Sequence, residues 1–308
     1  MKSVSKVSRI LISYLKKLME KIRQRLKRGI LNLAERNLIP SLFSILKLLF
    51  WLKNRFQTKQ KMKTNTTRFS DRVDDYIKYR PGYPKQIISI LSHKIGLNQN
   101  SIVADIGSGT GISSHLFLTN GNKVFGVEPN KEMREAAELA FETNSNFMSI
   151  NGTAEKTSLK ELSVDIIFSA QAFHWFNPNE TKKEFMRILK PGGHIVLVWN
   201  VRKENDDFQK GYESILKSIP GYNDVNHGNI TDKEILEFFA PKSMEKISLP
   251  NYQLLNLDGL KGRLKSASYC PKEGSANERI MRRIELLFYK FEKEGVIKFE
   301  YETNVFWT

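Results

Sequence analysis

Val103-Ala-Asp-Ile-Gly-Ser-Gly-Thr-Gly111 is the stretch whose reading decides the fold. A short apolar run, Ser101 to Ile106, carries a carboxylate, Asp105, near its end and passes directly into a turn with Gly107, Gly109 and Gly111. The pattern predicts a strand, a tight loop and a helix opening at Ile112. Glycines in such a loop let the backbone pass close to a ligand, because no Cβ stands in the way. A diphosphate would be met there by backbone N–H groups and a helix dipole. An acid just before the glycines suits a ligand with an ammonium group or hydroxyls instead. The dinucleotide frame G-x-G-x-x-G, started at Gly107, would need its last glycine where Ile112 stands. Here the glycines fall at alternate positions. Taken alone, such a turn is an ordinary strand–helix connection.

Asn122 to Val127 reads as a second strand and ends in Glu128 before Pro129. That places an acid at the next strand's tip, about 20 residues beyond the first glycine, the offset expected of a carboxylate gripping ribose hydroxyls.

With Glu128 in place, Asp105-x-Gly-x-Gly-x-Gly111 resembles the class I methyltransferases that use S-adenosylmethionine (SAM). Gly152-Thr-Ala-Glu155 is similar to the loop after the family's third strand, where backbone and an acid meet adenine. Ser163 to Gln171 resembles the fourth strand, and Arg187-Ile-Leu-Lys-Pro-Gly-Gly193 the helix and turn before the fifth. Tyr76-x-x-x-Arg-Pro-x-Tyr-Pro84, Ala172-Phe-His-Trp175 and Trp199-Asn-Val-Arg202 are similar to a small-molecule subgroup that includes trans-aconitate methyltransferase-like enzymes. The resemblance runs from about Phe69 to the C-terminus. Its motifs are specific for cofactor and fold and weak for the substrate.

Composition agrees with a packed catalytic domain. Of 308 residues, 40% are hydrophobic and 11% aromatic. Cys270 is the only cysteine, so no internal disulfide can form and a reducing, cytoplasmic setting is expected. Neither the five scattered histidines nor the cysteine shows metal-ligand spacing, and no metal site is expected.

The net charge of +16 is localised. Residues 1–63 hold seventeen Lys and Arg against two Glu, whereas 64–308 holds 32 basic against 31 acidic residues. The larger part is thus nearly neutral, which argues against a nucleic-acid substrate. In the basic part, Val4, Val7, Leu11, Leu15, Leu18, Ile22 and Leu26 recur at steps of three and four and mark one helix face. A basic amphipathic helix of this kind suits an anionic membrane surface or a targeting presequence. Leu38 to Leu52 follows, mostly apolar but shorter than the roughly 20 residues that span a bilayer. Residues 1–52 are therefore read as an interfacial, peripheral membrane element. Two other readings stand beside it: a helical pair packed on the catalytic domain, or a natural start at Met62.

Beyond Asp71 the chain alternates strands and helices. Strands are expected at Ile102–Ile106, Val124–Val127, Asn146–Asn151, Val164–Ser169, His194–Trp199, Met244–Leu254 and Val296–Phe306. Helices are expected at 71–78, 84–94, 112–119, 130–142, 156–160, 178–190 and 276–294. This alternation gives an α/β, doubly wound, mostly parallel sheet. The family resemblance implies a Rossmann-like methyltransferase fold of seven strands with the last antiparallel. Residues 64–308 form that domain, behind a helical basic extension at 1–63. Pro191-Gly-Gly193 reads as a plain turn.

The resemblance assigns the cofactor site by parts. Asp105 and the turn at Gly107, Gly109 and Gly111 hold the methionine end, and Glu128 accepts the ribose hydroxyls in a bidentate way. Ala154 N–H and Glu155 read adenine, and Gln171 touches the methionine moiety. Glu155 also reads equally well as an acid favoured at a helix N-terminus. If the acceptor is a carboxylate, methyl transfer needs no base; for an amine or hydroxyl, His174 is the candidate. Otherwise His174 is a structural histidine at a strand end. Trp175 and Phe173 wall the acceptor pocket or lie in the core. Arg80, Arg202 and Arg263 are surface charges unless one of them pairs with a substrate carboxylate. Tyr269 falls beside Arg263 in a region that completes the acceptor pocket in related enzymes.

The expected function is methyl transfer from SAM to a small molecule, a carboxylic acid in the finest reading. Two rivals are a membrane-recruited protein that binds SAM without turnover, and a nicotinamide-dependent oxidoreductase, which the glycine spacing and Asp105 disfavour.

Overall fold

The computed structural model describes residues 73–220, 222 and 230–308, so the expectations for residues 1–63 lie outside the described residues. Two helices come first, α1 (Val73–Tyr79) and α2 (Gln86–Ile95). The alternating part follows as β1 (Ile102–Ile106), α3 (Ser114–Thr119), β2 (Lys123–Val127), α4 (Lys131–Ala140), β3 (Phe147–Ile150), β4 (Val164–Ala170), α5 (Pro178–Ile188) and β5 (Leu189–Arg202). The chain closes with α6 (Asp207–Lys217), α7 (Asp232–Phe239), β6 (Glu245–Leu255), α8 (Leu257–Lys265), α9 (Gly274–Phe291) and β7 (Ile297–Trp307).

All seven strands join one sheet in the order β3-β2-β1-β4-β5-β7-β6. The pairs from β3 to β5 are parallel, while β7 runs antiparallel to both β5 and β6. Strand order reverses between β1 and β4, so the carboxyl ends of β1, β2 and β4 open one crevice, the place where open α/β sheets bind ligands.

Period-two burial explains why these runs are strands. In β1, Ala104 and Ile106 pack on one face of the sheet, and Val103 on the other. In β5, Ile195, Leu197 and Trp199 share the first face, and Val196 and Val198 the second. Both faces are covered by helices, which is why the central strands read as near-continuous apolar runs. A third core gathers α6, α8, α9 and the first half of β7, around Tyr212, Leu216, Leu260, Ile284 and Phe299.

Three expectations change. No helix forms at 156–160; the amides and carbonyls of Thr153 and Lys156 bond to each other at 3.0 and 3.1 Å, closing a tight turn. Pro191-Gly-Gly193 is not a free turn but an irregularity inside β5. Val164 pairs with Leu189 and Ile166 with His194, and Gly192 at φ 79 takes up the extra residues. Helices α6, α7 and α8 have no counterpart among the expected elements. Their signals were weak: glycines interrupt α6 and α8. The capping box of Thr231 and Glu234 at α7 is the one readable sign.

Candidate cofactor and acceptor site

Asp105 is fully buried at the tip of β1. Its Oδ2 accepts from the hydroxyls of Ser113 and Ser114, each at 2.7 Å, so the carboxylate braces the N-terminus of α3. Oδ1 has no hydrogen-bond partner among the described residues, nor has the buried hydroxyl of Thr110 in the same turn. Burial pushes Asp105 up to about 6, with the two serine hydroxyls working in the opposite direction. A buried carboxylate oxygen without a donor is costly. A cation or an ammonium group arriving from the crevice satisfies it.

The three glycines differ in what they do. All have positive φ, at 71°, 56° and 85°. A Cβ on Gly107 would stand 2.5 Å from that of Ala172, and one on Gly111 would stand 2.4 Å from the Phe141 ring. Only Gly109 faces open space. At Gly107 and Gly111 the missing Cβ makes room for neighbouring side chains, whereas at Gly109 that space is open.

Glu128, half-buried after β2, accepts from the Gly109 amide at 3.0 Å through Oε2 and from the Asn130 amide at 2.9 Å through Oε1. Burial raises it above the ordinary carboxylate range, against these two backbone bonds. Each oxygen keeps a second lone pair, as two vicinal hydroxyls require. Ala154 is buried beneath the same crevice. Glu155, expected to meet adenine, accepts through Oε1 from the Asn177 amide at 2.8 Å and so ties this loop to the start of α5. Buried Thr157 and Glu184, with the exposed Arg187 bonded to Glu184, hold the loop from behind.

At the tip of β4, Gln171 has φ 56, a left-handed conformation uncommon for a side chain of its size. Its amide donates to the Val198 carbonyl at 2.9 Å, and Nε2 donates to that of Asn200, also at 2.9 Å. Asn200 was quoted in the sequence without a role, yet it joins four elements. Its Nδ2 donates to Gly82 O at 3.1 Å, and its Oδ1 accepts from Asn251 at 3.1 Å and from Thr303 at 2.5 Å. The segment before α2 is thereby fixed over the end of β5 and the middle of β6 and β7.

His174 and Trp175 sit in a single 3-10 turn, Phe173–Trp175, directly after β4. Their rings lie 4.6 Å apart, both partly exposed. Phe173 is buried against Phe238, Phe176 and Trp199, so it belongs to the core and not to a pocket wall.

The three arginines separate cleanly. Arg202, expected to meet substrate, donates through Nη2 to Glu213 at 2.9 Å and to the Tyr222 hydroxyl at 2.7 Å. Its charge is thus met by a protein carboxylate. Arg80 lies against the Tyr76 ring at 4.8 Å and caps the end of α8 through Ser266 O at 3.0 Å. Arg263, 6% exposed, gives Nε to the Tyr301 hydroxyl at 3.1 Å. Burial and the neighbouring Arg263 both lower Arg80. The Tyr269 ring lies 5.0 Å from that of Tyr222. Tyr83 stands between the two regions: burial raises its hydroxyl well above the ordinary value, and Tyr76, Asp105 and Arg80 all act on it.

Comparison with known proteins agrees with this geometry. Residues 104–197 match the family described as "Methyltransferase domain". A Dictyostelium discoideum protein that carries a methyltransferase name is 31% identical over 202 residues, covering 62% of this chain and 74% of its own length. An uncharacterized methyltransferase of Schizosaccharomyces pombe is 29% identical over 154 residues, or 50% of this chain and 60% of that protein. The chain thus spans about three fifths of the length of this fission-yeast relative. A solved structure from Anaeromyxobacter dehalogenans, titled for a type II methyltransferase, shares the fold with a TM-score of 0.57 at 17% identity, covering 74% of this chain and 97% of that one. Sheet order, the acids at two successive strand tips and these relatives converge: the chain belongs to the class I SAM-dependent methyltransferase family.

Proposed function

We propose that this protein transfers the methyl group of SAM to a small-molecule acceptor, a carboxylic acid in the finer reading. The observation that carries the proposal is the free Oδ1 of Asp105 beside the open face of Gly109, with Glu128 bonded to the same turn. This set fits SAM part by part. Asp105 takes the ammonium, Glu128 the ribose hydroxyls, Ala154 N–H and Glu155 the adenine, and Gln171 the methionine moiety. Bound SAM supplies a methyl group already activated by the sulfonium charge.

The chain's own task is then alignment and exclusion of water, an effect that can reach about 7–11 kcal/mol. Tyr83, Trp175 and the segment fixed by Asn200 close the acceptor side. A carboxylate acceptor needs no base, and the motifs shared with trans-aconitate methyltransferase-like enzymes support that choice. For a hydroxyl or amine acceptor, His174 takes the proton.

Residues 64–308 form the methyltransferase domain, and the basic residues 1–52 recruit it to an anionic membrane surface. The charge imbalance between the two parts supports that role. The test is calorimetry with SAM and with its demethylated product, S-adenosylhomocysteine, on wild type and Asp105→Ala, followed by labelled methyl transfer to small acids and amines. Folded protein that binds neither nucleoside sinks the proposal. Binding without acceptor-dependent turnover favours the non-catalytic reading instead. For the extension, a 62–308 protein is expected to lose liposome association; equal binding by both forms refutes it.

A further inference from the structure

Arg80 reaches the end of α8 at Ser266, three residues beyond Arg263, and the two guanidinium charges oppose one another with no carboxylate paired to either among the described residues. Among the described residues neither Arg80 nor Arg263 forms an ion pair, whereas Arg202 has Glu213. Arg263 commits only Nε, to Tyr301, and Arg80 only Nη2, to a backbone carbonyl. The Nε of Arg80 is buried with no hydrogen-bond partner among the described residues. Like charges held together out of water are costly, and neutral tyrosine hydroxyls cannot cancel two positive charges. Such a pair persists where an anion completes it.

The pair is also in the right place. Gly82, two residues from Arg80, accepts from Asn200 Nδ2, and the Asn200 carbonyl accepts from Gln171 at the tip of β4, so the segment carrying Arg80 is tied to the carboxyl ends of the parallel strands. Arg80 comes from the segment before α2 and Arg263 from α8, which pack directly: a Cβ on Gly262 would stand 2.1 Å from the Tyr79 ring. Two planar donor forks from two elements define an oxyanion seat, since each matches a carboxylate or phosphate edge to edge.

Resting on the methyl-transfer reading above, we propose that Arg80 and Arg263 seat a carboxylate of the acceptor as a recognition handle, and that the methyl group goes to a different atom of the same molecule. A carboxylate whose lone pairs are engaged by two guanidinium groups is a poor nucleophile. The reacting group is therefore a second one, so the acceptor is bifunctional.

The experiment titrates butyrate, glutarate and inorganic phosphate by calorimetry into the protein saturated with S-adenosylhomocysteine. Wild type is expected to bind the carboxylates, Arg263→Met to bind them at least tenfold more weakly, and Arg263→Lys to lose less. Melting temperatures and the affinity for S-adenosylhomocysteine serve as folding controls. No carboxylate binding by wild type, or equal binding by a folded Arg263→Met, overturns the proposal. Phosphate bound tighter than either carboxylate overturns the choice of carboxylate. With labelled SAM, butyrate is expected to yield no methyl ester, and labelled methyl butyrate overturns the handle. Failure of S-adenosylhomocysteine to bind, by contrast, strikes the methyl-transfer reading itself.

Discussion

The amide of Gly109 donates to Glu128 Oε2 at 3.0 Å, so the turn after β1 and the acid after β2 form one bonded unit. The second oxygen is held in the same way by Asn130. Glu128→Gln leaves one of these two amides facing an amino group, and removes the charge from the ribose contact. Hydrogen bonds to charged groups are worth about 1.5–3 kcal/mol. The affinity for S-adenosylhomocysteine is expected to fall roughly ten- to a hundredfold on that scale, read by calorimetry. An unchanged affinity in folded protein removes Glu128 from the cofactor site.

Gly109 and Gly111 separate binding from folding. Alanine at Gly109 meets open space and incurs only the left-handed backbone cost, about 1–2 kcal/mol, while its methyl group intrudes where the ligand lies. Alanine at Gly111 adds a 2.4 Å approach to Phe141 to the same backbone cost. Its stability loss is expected to be roughly 2–5 kcal/mol. Chemical denaturation ranks the two for stability, and calorimetry ranks them in reverse for ligand affinity. A Gly109→Ala protein that binds normally contradicts the assignment of its open face.

Asp105 makes binding pH-dependent. Burial raises its folded value to about 6 from an ordinary 3.8. With the folded value above the unfolded one, its contribution to stability is fully present below about 3.8 and is lost as pH rises through 6. A ligand ammonium reverses the preference by favouring the carboxylate. Affinity for S-adenosylhomocysteine is therefore expected to rise by up to tenfold per pH unit below 6 and to level above it. Asp105→Asn is expected to bind weakly with a flat profile. A flat wild-type profile between pH 5 and 7.5 excludes an ionised Asp105–ammonium contact.

What the sequence made legible follows from chemistry confined to a few neighbouring residues. Asp105, Gly109 and Glu128 were readable because one turn and one strand-end offset place them together. The β-strands of the sheet centre were readable because burial on both faces leaves near-continuous apolar runs. The Arg202–Glu213 pair was not legible because Glu213 lies eleven residues on, in a helix whose Gly211 hid it. Tyr83 and Asn200 were quoted but given no role, since their meaning comes from elements far apart in the chain, such as the 118 residues between Gly82 and Asn200. Ser113 and Ser114 carried a usable signal: hydroxyls opening the helix that follows a buried acid.

Arg202 offers a test in which structure and substrate binding point in opposite directions. Its side chain keeps 22% exposure and that of Glu213 only 8%, with Tyr222 bonded to both. Removing Glu213 leaves Arg202 without a carboxylate, and removing Arg202 leaves Glu213 with Tyr222 and the more distant Lys217 at 3.9 Å. Arg202→Met and Glu213→Gln are each expected to cost roughly 2–4 kcal/mol, below the range for a fully buried pair because Arg202 is partly solvated. The double variant is expected to cost less than their sum, with a coupling of about 0.5–3 kcal/mol, as contacting groups show. Affinity for S-adenosylhomocysteine and for glutarate should stay within threefold of wild type throughout. If Arg202→Met instead keeps its stability and loses glutarate binding, the Arg202–Glu213 pair yields to an anion, and the seat assigned to Arg80 and Arg263 has a third member.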